Sequence, residues 1–224
     1  MSHLKKYYRQ YLLDFAVDSE KIGPLVAKGK QHRVHLYGTK HVIKIPRASL
    51  YMRSYGRFTA QQVQRDIDTI RELFPEISLQ TQVLCGRTHP ERYVLIQEYL
   101  PHAEPVNRYT VAAVHAQLHS LMRKNIQILR TQFLFLDIFG YQGFVCSLRA
   151  LLPFTRSRAQ LTNLLIRNFR DGDPQLVLVD TNLSHLNHAG EFRLTHRFID
   201  FGTILVSLIL YRLFFHRPQA DEKQ

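Results

Sequence analysis

From Pro24 to Pro46 the chain reads PLVAKGKQHRVHLYGTKHVIKIP, a series of short β-rich runs broken at Gly29 and at Tyr37-Gly38-Thr39-Lys40. Runs bounded by turn residues predict three successive strands. The period then changes. In TAQQVQRDIDTIREL, Thr59 to Leu73, the residues Val63, Ile67, Ile70 and Leu73, with the neighbouring Phe74, share one face of a helix that stops before Pro75. Strands are expected again at Ser78 to Leu84 and at Tyr93 to Gln97, the second running into Glu98-Tyr99-Leu100-Pro101. The first half is therefore a small antiparallel sheet with one helix.

The second half carries mostly the helical period. Apolar residues recur at helical spacing from Thr110 to Leu129, and Ser157 to Arg170 reads as another helix, closed by Asp171-Gly172-Asp173-Pro174. Two short β-like runs follow, LVLVD and RFID, each finishing in an aspartate. Residues Thr203 to Phe215, TILVSLILYRLFF, are fewer than the roughly 20 that a membrane span requires, and they include Arg212. They read as a buried helix with the arginine at its edge. At the N-terminus Tyr8, Leu12 and Phe15 also recur at helical spacing, and the short, interrupted apolar run lacks the central region of a signal peptide. The expected class is α+β in two lobes, residues 1–100 with the sheet and 101–224 mostly helical.

Composition narrows the partners more than the fold. Among 224 residues, 30 Lys and Arg stand against 18 Asp and Glu, a net charge of +12 that favours polyanions such as nucleotides, phosphorylated sugars or phospholipid. Only Cys85 and Cys146 occur, far apart, which argues against a disulfide scaffold or a structural zinc site and suits a reducing cytoplasm. No helix-turn-helix, RNA-recognition or zinc-finger signature is present, so specific nucleic-acid reading is not expected.

Lys44 in HVIKIP, the helix after it, the apolar strand ending in QEYLP, the helical half and the two aspartate-terminated runs together resemble the protein-kinase-like fold over about Lys21 to Leu210. VAAVHAQLHSLM, Val111 to Met122, resembles the LAxLHxL helix of the aminoglycoside and choline kinase branch, with His119 in its histidine position. The order and size are also similar to short bacterial kinases of sugars and the lipopolysaccharide core. The resemblance implies an ATP-dependent phosphotransferase. Lys44 would contact the phosphates, Asp66 would pair with it, and Glu98, Tyr99 and Leu100 would form the hinge against adenine. Gly29 with Lys30 and Arg33 would form the phosphate loop. Phosphoryl transfer needs one carboxylate near the acceptor hydroxyl and another on the metal that bridges the phosphates. Aligning LVLVDTNLSHLNHAGEFRLTHRFIDFG with HGDLxPxNIL…IDFG makes Asp180 the base and Asp200 the ligand of Mg²⁺ or Mn²⁺, with Asn182 or His185 completing the site.

The chain departs from that pattern in places. LVD stands for HGD or HRD, His185 takes the position of the second metal-binding asparagine with Asn182 and Asn187 on either side, and KGKQHRVHLYG keeps only Gly29 of the glycine-rich loop's first glycines. A rival frame reads TNLLI, Thr162 to Ile166, as the NIL segment. It makes Asp180-Thr181-Asn182 the metal motif, puts Arg158 at the base position and leaves Asp200 structural. His115 and His119, four apart on one helix face, have the spacing of zinc ligands but no HExxH glutamate, and packing is the reading preferred for them. Two functions follow from these residues. One is a cytoplasmic kinase acting on a small, sugar or lipopolysaccharide-core acceptor, phosphorylated or not, with its basic surface touching an anionic membrane from the side. The other is a non-catalytic kinase-like binding or regulatory module.

Overall fold

The computed structural model describes residues 4–29, 31–47, 59–170, 172–180, 183–185 and 194–216, with the backbone alone at 184–185 and 194–200. The chain is α+β and divides into two units, Met1–Pro101 and His102–Gln224.

The first unit is built on a five-stranded antiparallel sheet. Its strands are β1 (Ile22–Lys28), β2 (His32–Tyr37), β3 (His41–Pro46), β4 (Thr81–Cys85) and β5 (Tyr93–Glu98), in the order β1-β2-β3-β5-β4. Helix α1 (Lys6–Leu12) precedes the sheet, and α2 (Ala60–Leu73) lies between β3 and β4 in sequence. The strand period of two sorts the side chains onto two covered faces. On one, Tyr8, Tyr11, Leu12 and Phe15 from the α1 region pack with Ile22, Ile43, Ile45 and Val94. On the other, Ala60, Val63 and Ile67 of α2 pack with Tyr93 and Leu95. Thr59 starts α2 where expected, its hydroxyl accepting the N–H of Gln62 at 3.2 Å. Asp14 fixes the end of the α1 region to the β4–β5 hairpin. Its carboxylate accepts the N–H and hydroxyl of Thr88 and contacts His89, and those bonds lower its pKa to about 2.

In the second unit, α3 (Val111–Gln132), α4 (Gly140–Ala150) and α5 (Leu194–Phe214) accompany two small sheets. One has the order β6-β8-β9, from β6 (Glu104–Asn107), β8 (Gln160–Arg167) and β9 (Gln175–Leu178). The other pairs β7 (Leu134–Leu136) antiparallel with β10 (Leu183–His185). Two expectations are corrected here. Residues 157–170 are not a helix: LTNLLIR fits either period, and as the middle strand of its sheet β8 buries Leu161, Asn163, Leu164 and Ile166. RFID is not a strand followed by a turn. It lies inside α5, whose burial of Ile204, Ser207, Leu210 and Tyr211 follows the helical period. The helix is also less enclosed than its composition suggests, since Phe201, Leu205, Ile209 and Leu213 are exposed on it together with Arg212. Among the described residues no helix is long and apolar enough to cross a membrane.

Candidate functional site

Lys44 occupies the middle of β3, directly across from Val34 of β2 and Leu95 of β5. Directly paired residues project to the same side of a sheet, so Lys44 points to the α2-covered face with Leu95. The lysine is buried, 8 % exposed. Long cationic side chains are rarely enclosed to that degree, because the ammonium must keep polar partners. Nearby on the same face, His32 Nε2 lies 3.1 Å from the Tyr93 hydroxyl. Asp66 flanks the buried stripe of α2, half-buried, and accepts a bond from Gln62 Nε2 at 2.8 Å. Its basic helix neighbours are engaged elsewhere, Arg65 with Gln62 and Arg71 with Asp68 and the Thr81 carbonyl.

The other expected nucleotide residues are not all gathered there. Arg33 is across from Ile45, on the α1-covered face, where its guanidinium lies 4.9 Å from the centre of the Tyr8 ring. It therefore projects away from Lys44. Gly29 closes the β1–β2 turn, its N–H donating to the His32 carbonyl at 2.9 Å, and Lys30 lies outside the described residues. Glu98 ends β5 opposite His41, and the N–H of Tyr99 donates to the Lys40 carbonyl at 2.9 Å. That donor is already committed within the unit. Leu100 follows as partly exposed chain.

In the second unit the residues that converge are partly different from those expected. Asp137 follows β7 immediately, and Asp180 stands two positions after the end of β9. Between them is Asn163 of β8, 4 % exposed, whose side-chain amide donates to the Asp137 carbonyl at 2.7 Å and whose own carbonyl accepts the Val179 N–H at 2.9 Å. The Asp137 carboxylate accepts the N–H groups of Phe139 and Gly140, both at 3.0 Å, where α4 begins. Its pKa is raised: burial is the largest cause, opposed by the Gly140 bond, and the nearby negative charge of Asp180 adds to the rise.

The arrangement is held by bonds between residues distant in sequence. Thr162 donates from its hydroxyl to the Phe139 carbonyl at 2.7 Å, and its N–H reaches the same oxygen at 2.9 Å, tying β8 to the turn after Asp137. Gly140 has φ +64°, and a Cβ there would lie 2.3 Å from Asn163 Oδ1, so both backbone angle and space require glycine. Beneath them the buried Asn125 of α3 donates to the Leu136 carbonyl at 3.0 Å and accepts its N–H at 2.9 Å.

No family model and no curated protein matches this chain.

The geometry bears on both alignments. Asp200 lies within α5, so the strand end that would present a metal-binding acid is not formed there. TNLLI is a strand paired with LVL, Leu164 opposite Leu178, as the rival frame requires. In that frame Arg158 would stand for the base, and it is an exposed side chain over the Tyr109 ring. Asn182 and Asn187 lie outside the described residues, and His185 is placed by its backbone in β10, across from Leu134. Among the described residues no three His, Cys, Asp or Glu side chains form a metal-holding group. His115 and His119 stack at 6.2 Å, His119 also meets the His216 ring, and His115 Nε2 lies 3.0 Å from the His216 carbonyl. Asp137 has a sequence signal of its own: FLFLD is an apolar run ending in aspartate, the same pattern as LVLVD.

Proposed function

We propose that the chain is a metal-dependent phosphotransferase of protein-kinase-like design, moving the terminal phosphoryl group of ATP to a hydroxyl of a small, sugar or lipopolysaccharide-core acceptor. The observation that carries this reading is the placement of Asp137, after β7, and Asp180, after β9, around the buried Asn163, which bonds the Asp137 carbonyl and the N–H of Val179. Such transfer uses one acid at the metal and one at the acceptor, and this unit offers two in unlike environments. Asp180, partly exposed, suits Mg²⁺, which is held by one or two carboxylates together with substrate phosphates; the donors here are oxygens, as magnesium prefers. Asp137 is assigned to the acceptor hydroxyl, its carboxylate oriented by the N–H groups of Phe139 and Gly140.

The test is the melting temperature of the full chain with ATP, with and without Mg²⁺. A ligand that binds only the native state stabilises it by about 2.7 kcal/mol at a hundred times its Kd. A rise that needs both ATP and metal is expected. Indifference to both, at millimolar nucleotide, would favour the second reading, a non-catalytic kinase-like binding module. That reading draws on Arg158 at the base position of the rival frame and on the committed N–H of Tyr99.

A further inference from the structure

From the last turn of α4 toward β8 the chain reads SLRALLPFTRSR, Ser147 to Arg158, and it places an unusual set of side chains in water. Phe154 is 97 % exposed, and Leu148, Leu151 and Leu152 are 37 %, 48 % and 56 % exposed. Single exposed apolar residues are ordinary, whereas four within seven positions form a patch. The segment is held in a defined turn: the N–H of Leu152 donates to the Arg149 carbonyl at 2.9 Å, that of Thr155 to the Leu152 carbonyl at 3.2 Å, and the Thr155 hydroxyl to the Arg149 carbonyl. The apolar tip is therefore presented by its own backbone bonds.

Its charge is one-sided. From Ile138 to Arg170 there is no Asp or Glu, and Arg149, Arg156 and Arg158 around the tip are exposed with no ion pair among the described residues. Arg158 lies 5.1 Å from the centre of the exposed Tyr109 ring, and Arg108 lies 4.5 Å from it, so an aromatic ring between two guanidiniums extends the basic rim. We propose that this turn docks the protein on an anionic phospholipid bilayer, with Phe154 and the leucines entering the headgroup and acyl boundary and the arginines on lipid phosphates. A nucleic acid would satisfy the arginines and leave three leucines in water. A bilayer answers both features. The proposal rests on this surface alone and is independent of the nucleotide reading.

The test is flotation of the full chain with vesicles of phosphatidylcholine, alone or mixed with phosphatidylglycerol. Binding to the mixed vesicles and not to phosphatidylcholine alone, weakening with salt, is expected. Phe154→Ser should weaken it by about tenfold to a hundredfold, the effect of withdrawing one phenyl ring from an apolar phase. Arg156→Gln and Arg158→Gln should each cost about fivefold. All three side chains face water, and unchanged circular dichroism would confirm intact folding. Equal binding to both vesicle types, binding that survives Phe154→Ser, or no vesicle binding alongside a Phe154-dependent dimer or oligonucleotide complex would overturn the proposal.

Discussion

The two units hold their charged groups by different means. Lys44 sits inside a ladder of five strands, with partners on both sides and an apolar layer on each face of the sheet. Its position is fixed by repeated backbone bonds, so no single neighbour is indispensable. Asp137 follows a strand of three residues with one strand partner. Its backbone is completed by side chains instead: Asn125 on Leu136, Asn163 and Thr162 on the turn that follows. Precision obtained from side chains depends on each of them, and the second unit should be the more sensitive to small changes.

Asn125→Ala should show the largest effect. It would leave the buried N–H and carbonyl of Leu136 without the bonds Asn125 gives them, at about 1–3 kcal/mol for each unsatisfied group, so a loss of about 3 kcal/mol or more is expected by chemical denaturation. Gly140→Ala should cost about 2 kcal/mol, from the left-handed backbone angle and the collision with Asn163, and should disturb metal-dependent nucleotide binding as well. In the first unit, Tyr93→Phe removes the hydroxyl that meets His32 while the ladder stays whole, and about 1 kcal/mol is expected. If Tyr93→Phe proved as damaging as Asn125→Ala, the contrast between the units would collapse. The smallest effect has the opposite sign. Gly202 lies within α5 with nothing within 4 Å of where a Cβ would stand, so Gly202→Ala should stabilise by about 0.5–1 kcal/mol, whereas a glycine required by a turn would make the same change destabilising.

The legibility of the sequence follows the same division. HVIKIP and VLIQEYL are bounded by turn residues and α2 by Thr59 and Pro75, so local signals and structure agree for these elements, while the strand expected from Ser78 opens only at Thr81. LTNLLIR and RFID are short apolar runs that satisfy either period, and their outcome is set by neighbours distant in sequence: β6 and β9 around β8, and the buried face of α5 over the three turns beyond FID. Asp180 was visible because LVLVD ends in an acid. Asp137 carries the same mark in FLFLD, but RFIDFG is the nearer match to the kinase-like metal motif and draws the second acid to Asp200. Asn125 and Gly140 carry no local mark, since what they do depends on contacts with β7 and β8.

The central claim is that Asp137 and Asp180, and not Asp180 and Asp200, are the functional pair. It is tested most directly by titrating Mg²⁺ and ATP into the full chain and its Asp180→Asn and Asp200→Asn variants, following heat and melting temperature. The account predicts that Asp180→Asn loses the metal-dependent part of nucleotide binding while Asp200→Asn, a change within a helix, retains it. Retention in Asp180→Asn with loss in Asp200→Asn would contradict it and return the metal to RFIDFG.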